Sequence, residues 1–284
     1  MPGAIKYESA SVSGDARRRV AGWIFNVLLT AALFLAGGCV SSKIKSPPAT
    51  FRVMTYNIHH GEGTDGRIDL LRIGELIKQE RADIVALQEV DRGVQRTARR
   101  DLPAELAALT GMSVVFSNNF HYQGGEYGNA VLTRFAVLRW DNTHYRMIRP
   151  GEQRGLLQLV TEIHGRRLLI LNTHIDYRPD DSERLMNVEE IKQITKKYGL
   201  PVILMGDFND MPGSRTHLKM KEQFLDCWER IGGGSGFSYS SDKPRKRIDY
   251  IFTSKDPVLV PLKIWVPQSD ASDHLPVVAE FRVQ

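Results

Sequence analysis

Cysteine is scarce in this chain: 284 residues hold two, Cys39 and Cys227. Two thiols are too few for a disulfide framework or a cysteine-built metal centre, and an acylated Cys39 would leave Cys227 without a partner inside the chain. Cys227 lies in Phe224-Leu225-Asp226-Cys227-Trp228, an apolar context that reads as a buried, inert thiol. Excess charge is also small. The formal net charge is +5, and residues 1–38 carry +2 of it. That balance suits a phosphate-bearing substrate but is too weak to argue for a nucleic-acid partner. Arg96, Arg99 and Arg100, and then Lys243, Arg245, Lys246 and Arg247, cluster along the chain without the interleaved aromatics of a base-stacking platform. Solvated surface is the plainer reading of both clusters, and a nucleic-acid contact stays open.

What is present begins with an apolar run, Val20–Ala36, preceded by Arg17-Arg18-Arg19 and followed by Gly37-Gly38-Cys39. A basic start, an apolar core and small residues describe an export signal, and the run is close to the roughly 20 residues that span a bilayer. The cysteine directly after small residues resembles a bacterial lipoprotein signal, in which that cysteine becomes the acylated first residue. An uncleaved anchor and an ordinary secretory signal remain the other readings. Residues 1–38 are therefore expected to be a signal or membrane segment, and 39–50 a linker. Residues 51–284 are expected to form one domain, exported and membrane-anchored through Cys39 or the N-terminal segment, and monomeric.

That domain reads as alternating strands and helices. Phe51–Ile58, Asp83–Val90, Val114–Phe116, Gly128–Thr133, Val137–Trp140, Leu156–Ile163, Arg167–His174, Pro201–Met205, Arg247–Thr253 and Leu275–Arg282 read as strands. Ile68–Gln79, Leu102–Leu109 and Ser182–Lys197 read as helices, with Ser182 a candidate N-cap. Gly124–Tyr127 reads as a loop. Five strands bury apolar residues and then end in polar ones: Asn57, Glu89, His174, Asp207 with Asn209, and Asp249. A loop adds Asp273 and His274. A buried-strand carboxylate is costly unless it is paired or binds a cation, and a hard, oxygen-seeking cation suits Glu89 and Asn57. Each residue alone has a plain structural explanation; together, at strand ends, they point to a site.

The segments Thr55-Tyr56-Asn57-Ile58, Leu87-Gln88-Glu89-Val90, Asn172-Thr173-His174, Gly206-Asp207-Phe208-Asn209, Arg247-Ile248-Asp249-Tyr250 and Ser272-Asp273-His274 resemble, in order, the motif set of the endonuclease/exonuclease/phosphatase superfamily. The resemblance covers roughly residues 51–284. It implies an α/β (α+β) four-layer sandwich: two mixed β-sheets packed face to face, helices outside, the site at one rim. It implies a divalent-metal-dependent phosphoesterase that cleaves a phosphate mono- or diester by attack of water. Glu89 would hold Mg²⁺ (or Mn²⁺) with Asn57 beside it. Asp207 and Asn209 would orient and deprotonate the water. His174 and His274 would contact the phosphate, and Asp249 would pair with one of these two histidines. Asp273 would fix the His274 tautomer or help hold metal. His59 stands where the apurinic endonucleases carry a second acidic residue near the metal; a phosphate contact ranks ahead of a metal ligand or a plain loop residue. Arg154 is a candidate phosphate clamp, an exposed hairpin arginine being the alternative, and Asn129 a candidate lining residue.

Substrate is less legible. The Cys-Asp-Arg signature of inositol 5-phosphatases is replaced here by Lys246-Arg247-Ile248-Asp249. Asn57–Gly63 and Leu102–Gly111 resemble bacterial relatives of the domain linked to GPI-anchor lipid remodelling. A lipid headgroup or small phosphate ester is the expected substrate; an exported nuclease of the same mechanism and a non-catalytic binding lipoprotein are the alternatives.

Overall fold

The computed structural model describes residues 50–284. The expected signal or membrane segment and nearly all of the expected linker, Cys39 included, lie outside the described residues. In chain order the elements are β1 (Thr50–Asn57), α1 (Leu70–Gln79), β2 (Ile84–Arg92), α2 (Leu102–Thr110), β3 (Ser113–Tyr122), β4 (Gly125–Thr133), β5 (Val137–His144), β6 (Gly155–Ile163), β7 (Arg166–His174), α3 (Ser182–Lys196), β8 (Val202–Asp207), α4 (Arg215–Lys221), β9 (Phe224–Asp226), α5 (Cys227–Ile231), β10 (Asp249–Ser254), β11 (Leu259–Trp265) and β12 (Val277–Val283). The strands make two six-stranded sheets, ordered β11-β12-β1-β2-β4-β3 and β5-β6-β7-β8-β10-β9. Each is mixed. One parallel pair, β1 with β2 or β7 with β8, lies inside an otherwise antiparallel ladder.

Strand alternation builds the layers. In β1, Phe51 and Val53 face the other sheet while Met54 and Tyr56 face the helices. Ile84 and Ala86 of β2, Leu168 and Ile170 of β7, Ile203 and Met205 of β8, and Ile251 of β10 join Phe51 and Val53 in the core between the sheets. The intervening residues pack outward. Val85 and Leu87 meet Leu70, Ile73 and Ile77 of α1. Leu169, Leu171, Val202 and Leu204 share a third cluster with Val188 and Ile191 of α3. Three apolar layers between four layers of structure make the sandwich. Each fully buried Leu, Ile or Phe contributes about 1.5–3 kcal/mol, so the spread of core over three layers fixes both sheets and helices.

The same alternation changes character along each strand. Past Phe51 and Val53 the inward positions of β1 are Thr55 and Asn57, past Ile84 and Ala86 comes Gln88, and past Ile170 come Asn172 and His174. Past Met205 comes Asp207, and Asp249 precedes Ile251 on the antiparallel neighbour, where the two aspartates stand in register. One end of the interlayer is therefore oil and the other polar, with a hydrogen-bonded belt between. The Gln88 amide donates to Asn172 Oδ1 (2.7 Å) and Thr55 Oγ1 (3.1 Å). Asn172 Nδ2 in turn donates to the carbonyls of Leu87 (2.9 Å) and Ala130 (2.8 Å) on the opposite sheet. That contact falls where the β2–β4 register shifts between Leu87 and Val90, so a side chain satisfies carbonyls beside the bulge.

Several expectations are revised. Gly124–Tyr127 is not a loop: β3 and β4 are a long hairpin whose turn residues Gln123 and Gly124 both have positive φ (+45° and +76°), the arrangement a two-residue hairpin turn needs. β11 carries Pro261, which hides it from a strand pattern, yet it is an edge strand with a register shift at that proline, where a missing N–H is tolerated. The N-cap of α3 is Asp181, and Ser182 is the first helical residue. Cys227 is buried and free.

Candidate active site

The polar ends of β1, β2, β7, β8 and β10 open into a cavity of about 560 Å³. Its centre is Asp207, almost fully buried. Gly206 delivers it: φ there is +152°, and a Cβ would stand 2.0 Å from the Thr173 carbonyl oxygen. The parallel β7–β8 pair approaches there as closely as only glycine permits. Asn57 Nδ2 donates to Asp207 Oδ2 (3.1 Å) and to Glu89 Oε1 (2.9 Å), so one carboxamide ties two carboxylates on different strands. Its oxygen accepts the His59 backbone N–H (3.1 Å). Asp207 Oδ1 accepts from the backbone N–H of Asn209 (2.9 Å). Asn209 has φ +48°, which turns its carboxamide to within 2.9 Å of His174 Nε2.

Two histidines flank Asp207, with Nε2 of His174 at 3.5 Å and Nε2 of His274 at 3.7 Å from Oδ2. They are set differently. Arg154 Nη1 donates to His174 Nδ1 (2.8 Å). Arginine can only donate, so His174 Nδ1 accepts; the group beside Nε2 is the Asn209 amide nitrogen, also a donor, so both ring nitrogens face N–H groups. Burial, with the charges of Arg154 and then His274, holds His174 well below the usual histidine range, so the ring is neutral. His274 Nδ1 instead bonds Asp249 Oδ2 (2.9 Å), which also accepts from Ser238 Oγ (2.6 Å). Burial opposes the charged form of His274, but Asp249 and then Asp207 outweigh it and raise its pKa to about 10. Asp207 is raised to about 7, by burial first and the Asp249 charge second.

The structure thus brings Asn57, Glu89, His174, Asp207, Asn209, Asp249 and His274 together, and pairs Asp249 with His274 rather than His174. His59, Arg154 and Asp273 also line the cavity. Arg154 is buried, at 6% exposure, and ion-paired with Glu152, not an exposed hairpin arginine. Asn129 does not reach the cavity. Its amide donates to the Gly155 carbonyl (3.3 Å) and helps join the sheets. Tyr127, Tyr177 and Tyr239 line the cavity without a sequence signal, because they come from hairpins and loops with no strand-end pattern. The Tyr239 ring lies 4.8 Å from that of His274.

Three carboxylates, Glu89, Asp207 and Asp249, converge on this end of the interlayer, and Asp249 Oδ1 is buried with no hydrogen-bond partner. Among the described residues, His59, His60 and Glu89 form one group with ligand atoms within 4.8 Å of one another, and Asp207, Asp249 and His274 another; Asp273 is in neither. Carboxylates in excess over the cations beside them fit a divalent ion.

Comparison with known proteins agrees with this geometry. The family model described as Endonuclease/Exonuclease/phosphatase family matches residues 54–274. YbhP of Escherichia coli (strain K12) is 27% identical over 251 residues, covering 82% of this chain and 97% of YbhP. An endonuclease/exonuclease/phosphatase from Beutenbergia cavernae superposes with a TM-score of 0.67 at 23% identity, over 83% of this chain and 72% of that one. The mannosyl-6-phosphatase Bt3783 of Bacteroides thetaiotaomicron gives 0.68 at 17% identity, over 81% and 99%. Truncated TDP2 of Caenorhabditis elegans gives 0.63 at 25%, over 82% and 98%. Members of this family are hydrolases acting on phosphoester bonds. By fold, motif order and family match, this chain belongs to the endonuclease/exonuclease/phosphatase family.

Proposed function

We propose that the chain hydrolyses a small phosphate ester or a lipid headgroup with the help of a divalent cation, Mg²⁺ or Mn²⁺. The observation that carries this is Asp207, a buried carboxylate flanked by a neutral histidine and a protonated one. Asp207, raised to about 7, suits a general base working near neutral pH. It takes the proton of the attacking water, which Asn209 helps align. The His274 imidazolium donates to a non-bridging phosphate oxygen, where charge accumulates. Arg154 and Asn209 hold the neutral His174 ring beside it, and Asp249 keeps His274 charged. A divalent cation bound at Glu89 would supply neutralisation of phosphate charge.

Charge gives limited support to a small substrate. Of the basic residues that could follow a nucleic-acid backbone, Arg96 is committed to Asp91, Arg100 to Glu105 and Arg247 to buried Asp226, and Lys246 lines the cavity, where one phosphate and its substituent can meet it. The N-terminal reading supports a substrate outside the cytoplasm, met by a tethered enzyme.

The test uses the purified, metal-stripped protein with bis-p-nitrophenyl phosphate, p-nitrophenyl phosphate, a sugar-phosphate and lipid panel, and plasmid DNA. Each is assayed with and without Mg²⁺ or Mn²⁺. Cation-dependent turnover of the small esters is expected, lost in a folded Asp207→Asn variant. Activity confined to DNA, weakening steeply with salt, would favour the nuclease reading. Full activity of Asp207→Asn would sink the assignment of the base.

A further inference from the structure

His59 and His60 take no step in the chemistry above, yet the chain holds them in an unfavourable state. Both have φ +44°, in the left-handed region that non-glycine residues occupy only when the surroundings impose it. Here the Asn57 side-chain oxygen imposes it by accepting the His59 backbone N–H. The two rings meet edge to face, centroids 4.4 Å apart. One ring nitrogen of each and one carboxylate oxygen of Glu89 lie within 4.8 Å of one another.

The His60 side chain is 9% exposed. Its Nε2 lies 3.3 Å from Glu62 Oε2, whereas its Nδ1 is buried with no hydrogen-bond partner. When Nε2–H is donated to Glu62, Nδ1 carries a buried, unused lone pair. A carboxylate that fixes one imidazole nitrogen and leaves the other free is the arrangement that orients metal-ligating histidines. The nearby guanidinium, Arg96, donates two hydrogen bonds to Asp91 (2.8 and 2.9 Å), which offsets part of its charge at this corner.

We propose that His59 and His60 complete the Glu89 site as nitrogen ligands, so that this centre selects a first-row transition cation over Mg²⁺. The inference rests on the reading that Glu89 carries the cation. Imidazole donors suit ions such as Zn²⁺ and Fe²⁺, Mn²⁺ is the weakest binder of that row and so the most demanding probe, and Mg²⁺ prefers oxygen and retained water. A phosphate contact by His59 would leave the His60 lone pair and the Glu62 partner unexplained.

The experiment measures binding, not turnover. The full chain, stripped of metal, is titrated with Mn²⁺ by the loss of the free-ion paramagnetic resonance signal, and with Mg²⁺ by competition. Pulsed paramagnetic resonance on the Mn²⁺ complex then reports coordinated nitrogen. Expected are a Mn²⁺ preference of at least about tenfold and imidazole nitrogen coupling in the unmutated protein. The His59→Gln/His60→Gln pair should lose both, and Glu62→Gln should weaken Mn²⁺ binding by about 10–100-fold. Absence of nitrogen coupling in the unmutated protein would overturn the proposal, whatever the variants do. If Glu89→Gln abolishes Mn²⁺ binding while nitrogen coupling is missing, the Glu89 reading stands and the histidine proposal fails. If Glu89→Gln leaves binding intact, both fail.

Discussion

Asp249→Asn isolates the electrostatics of the site. The change is isosteric, and an amide oxygen can still accept from His274 Nδ1 and Ser238 Oγ, the two contacts Asp249 Oδ2 makes. What disappears is a buried negative charge 2.9 Å from His274. An opposite charge at such range favours the charged form by about 1–3 pH units, or about 1.4–4 kcal/mol. In the unmutated enzyme the alkaline limb of kcat/KM, set by His274, should lie near pH 10, and the acid limb, set by Asp207, near 7. Without Asp249 the alkaline limb should fall to about 7–9. The acid limb should fall too, because Asp207 loses the repulsion that is the second cause of its rise. The profile therefore slides to lower pH with both limbs moving the same way, a signature that damage to the fold does not produce. Ring proton resonances of His274 in the metal-free protein give an independent titration. An alkaline limb that stays near 10, or limbs that move apart, would refute the reasoning. Stability follows by linkage. His274 is raised from 6.5 to about 10, so its stabilising contribution is complete below pH 6.5 and is lost as pH climbs to about 10. Its upper bound is on the order of 5 kcal/mol. Chemical denaturation at pH 6 and pH 10 should show that loss, much reduced in Asp249→Asn.

Other sites give equally direct tests. Asn172→Ala removes the amide that bonds Leu87 O, Ala130 O and Gln88 across the sheets; a loss of about 2–4 kcal/mol is expected in urea denaturation, since buried partners are left unsatisfied. Gly206→Ala places a Cβ 2.0 Å from the Thr173 oxygen and should prevent folding or shift β7 from β8; a soluble, fully active variant would contradict the described approach. Arg154→Gln keeps an amide donor but removes the charge that, after burial, most depresses His174. kcat should fall about tenfold or more, and the His174 pKa, read by ring resonances, should rise toward the ordinary value.

Much of this site was legible because strand ends are legible. Asn57, Glu89, His174, Asp207 and Asp249 stand where apolar runs give way to polar residues, and that boundary is visible in one dimension. Pairing was not. Asp249 could have served either histidine, and the choice depends on β10 lying antiparallel to β8 with Asp249 opposite Asp207, a register between elements about 40 residues apart in the chain. Burial of Arg154 was equally hidden. Its neighbours Glu152, Gln153 and Gly155 read as a turn, and only the packing of β6 beside β7 puts its guanidinium on His174. Asn129 looked like a strand-opening polar residue of the same kind, but its strand pairs so that its amide points between the sheets. β11 was missed because Pro261 breaks the pattern, a cost that an edge strand does not bear.

The site and the core are two ends of one construction. An inward-facing position on β1, β2, β7, β8 or β10 is apolar toward one end and polar or ionisable toward the other, and the change occurs within two or three alternations of each strand. Charged side chains in such a layer are destabilising unless paired, and the belt of Gln88, Asn172 and Thr55 lies where the transition occurs. It satisfies backbone carbonyls beside the β2 bulge and so holds Glu89, at φ +58°, against Asn57. Asp207, Asp249 and Glu89 remain short of positive partners in this frame, with Asp249 Oδ1 left without any. A fold that keeps three carboxylates in one buried corner has its energetic reason in what binds there: a cation and the developing charge of a phosphate ester relieve a repulsion that the free protein carries, and the protonated His274 is the part of that relief the chain supplies itself.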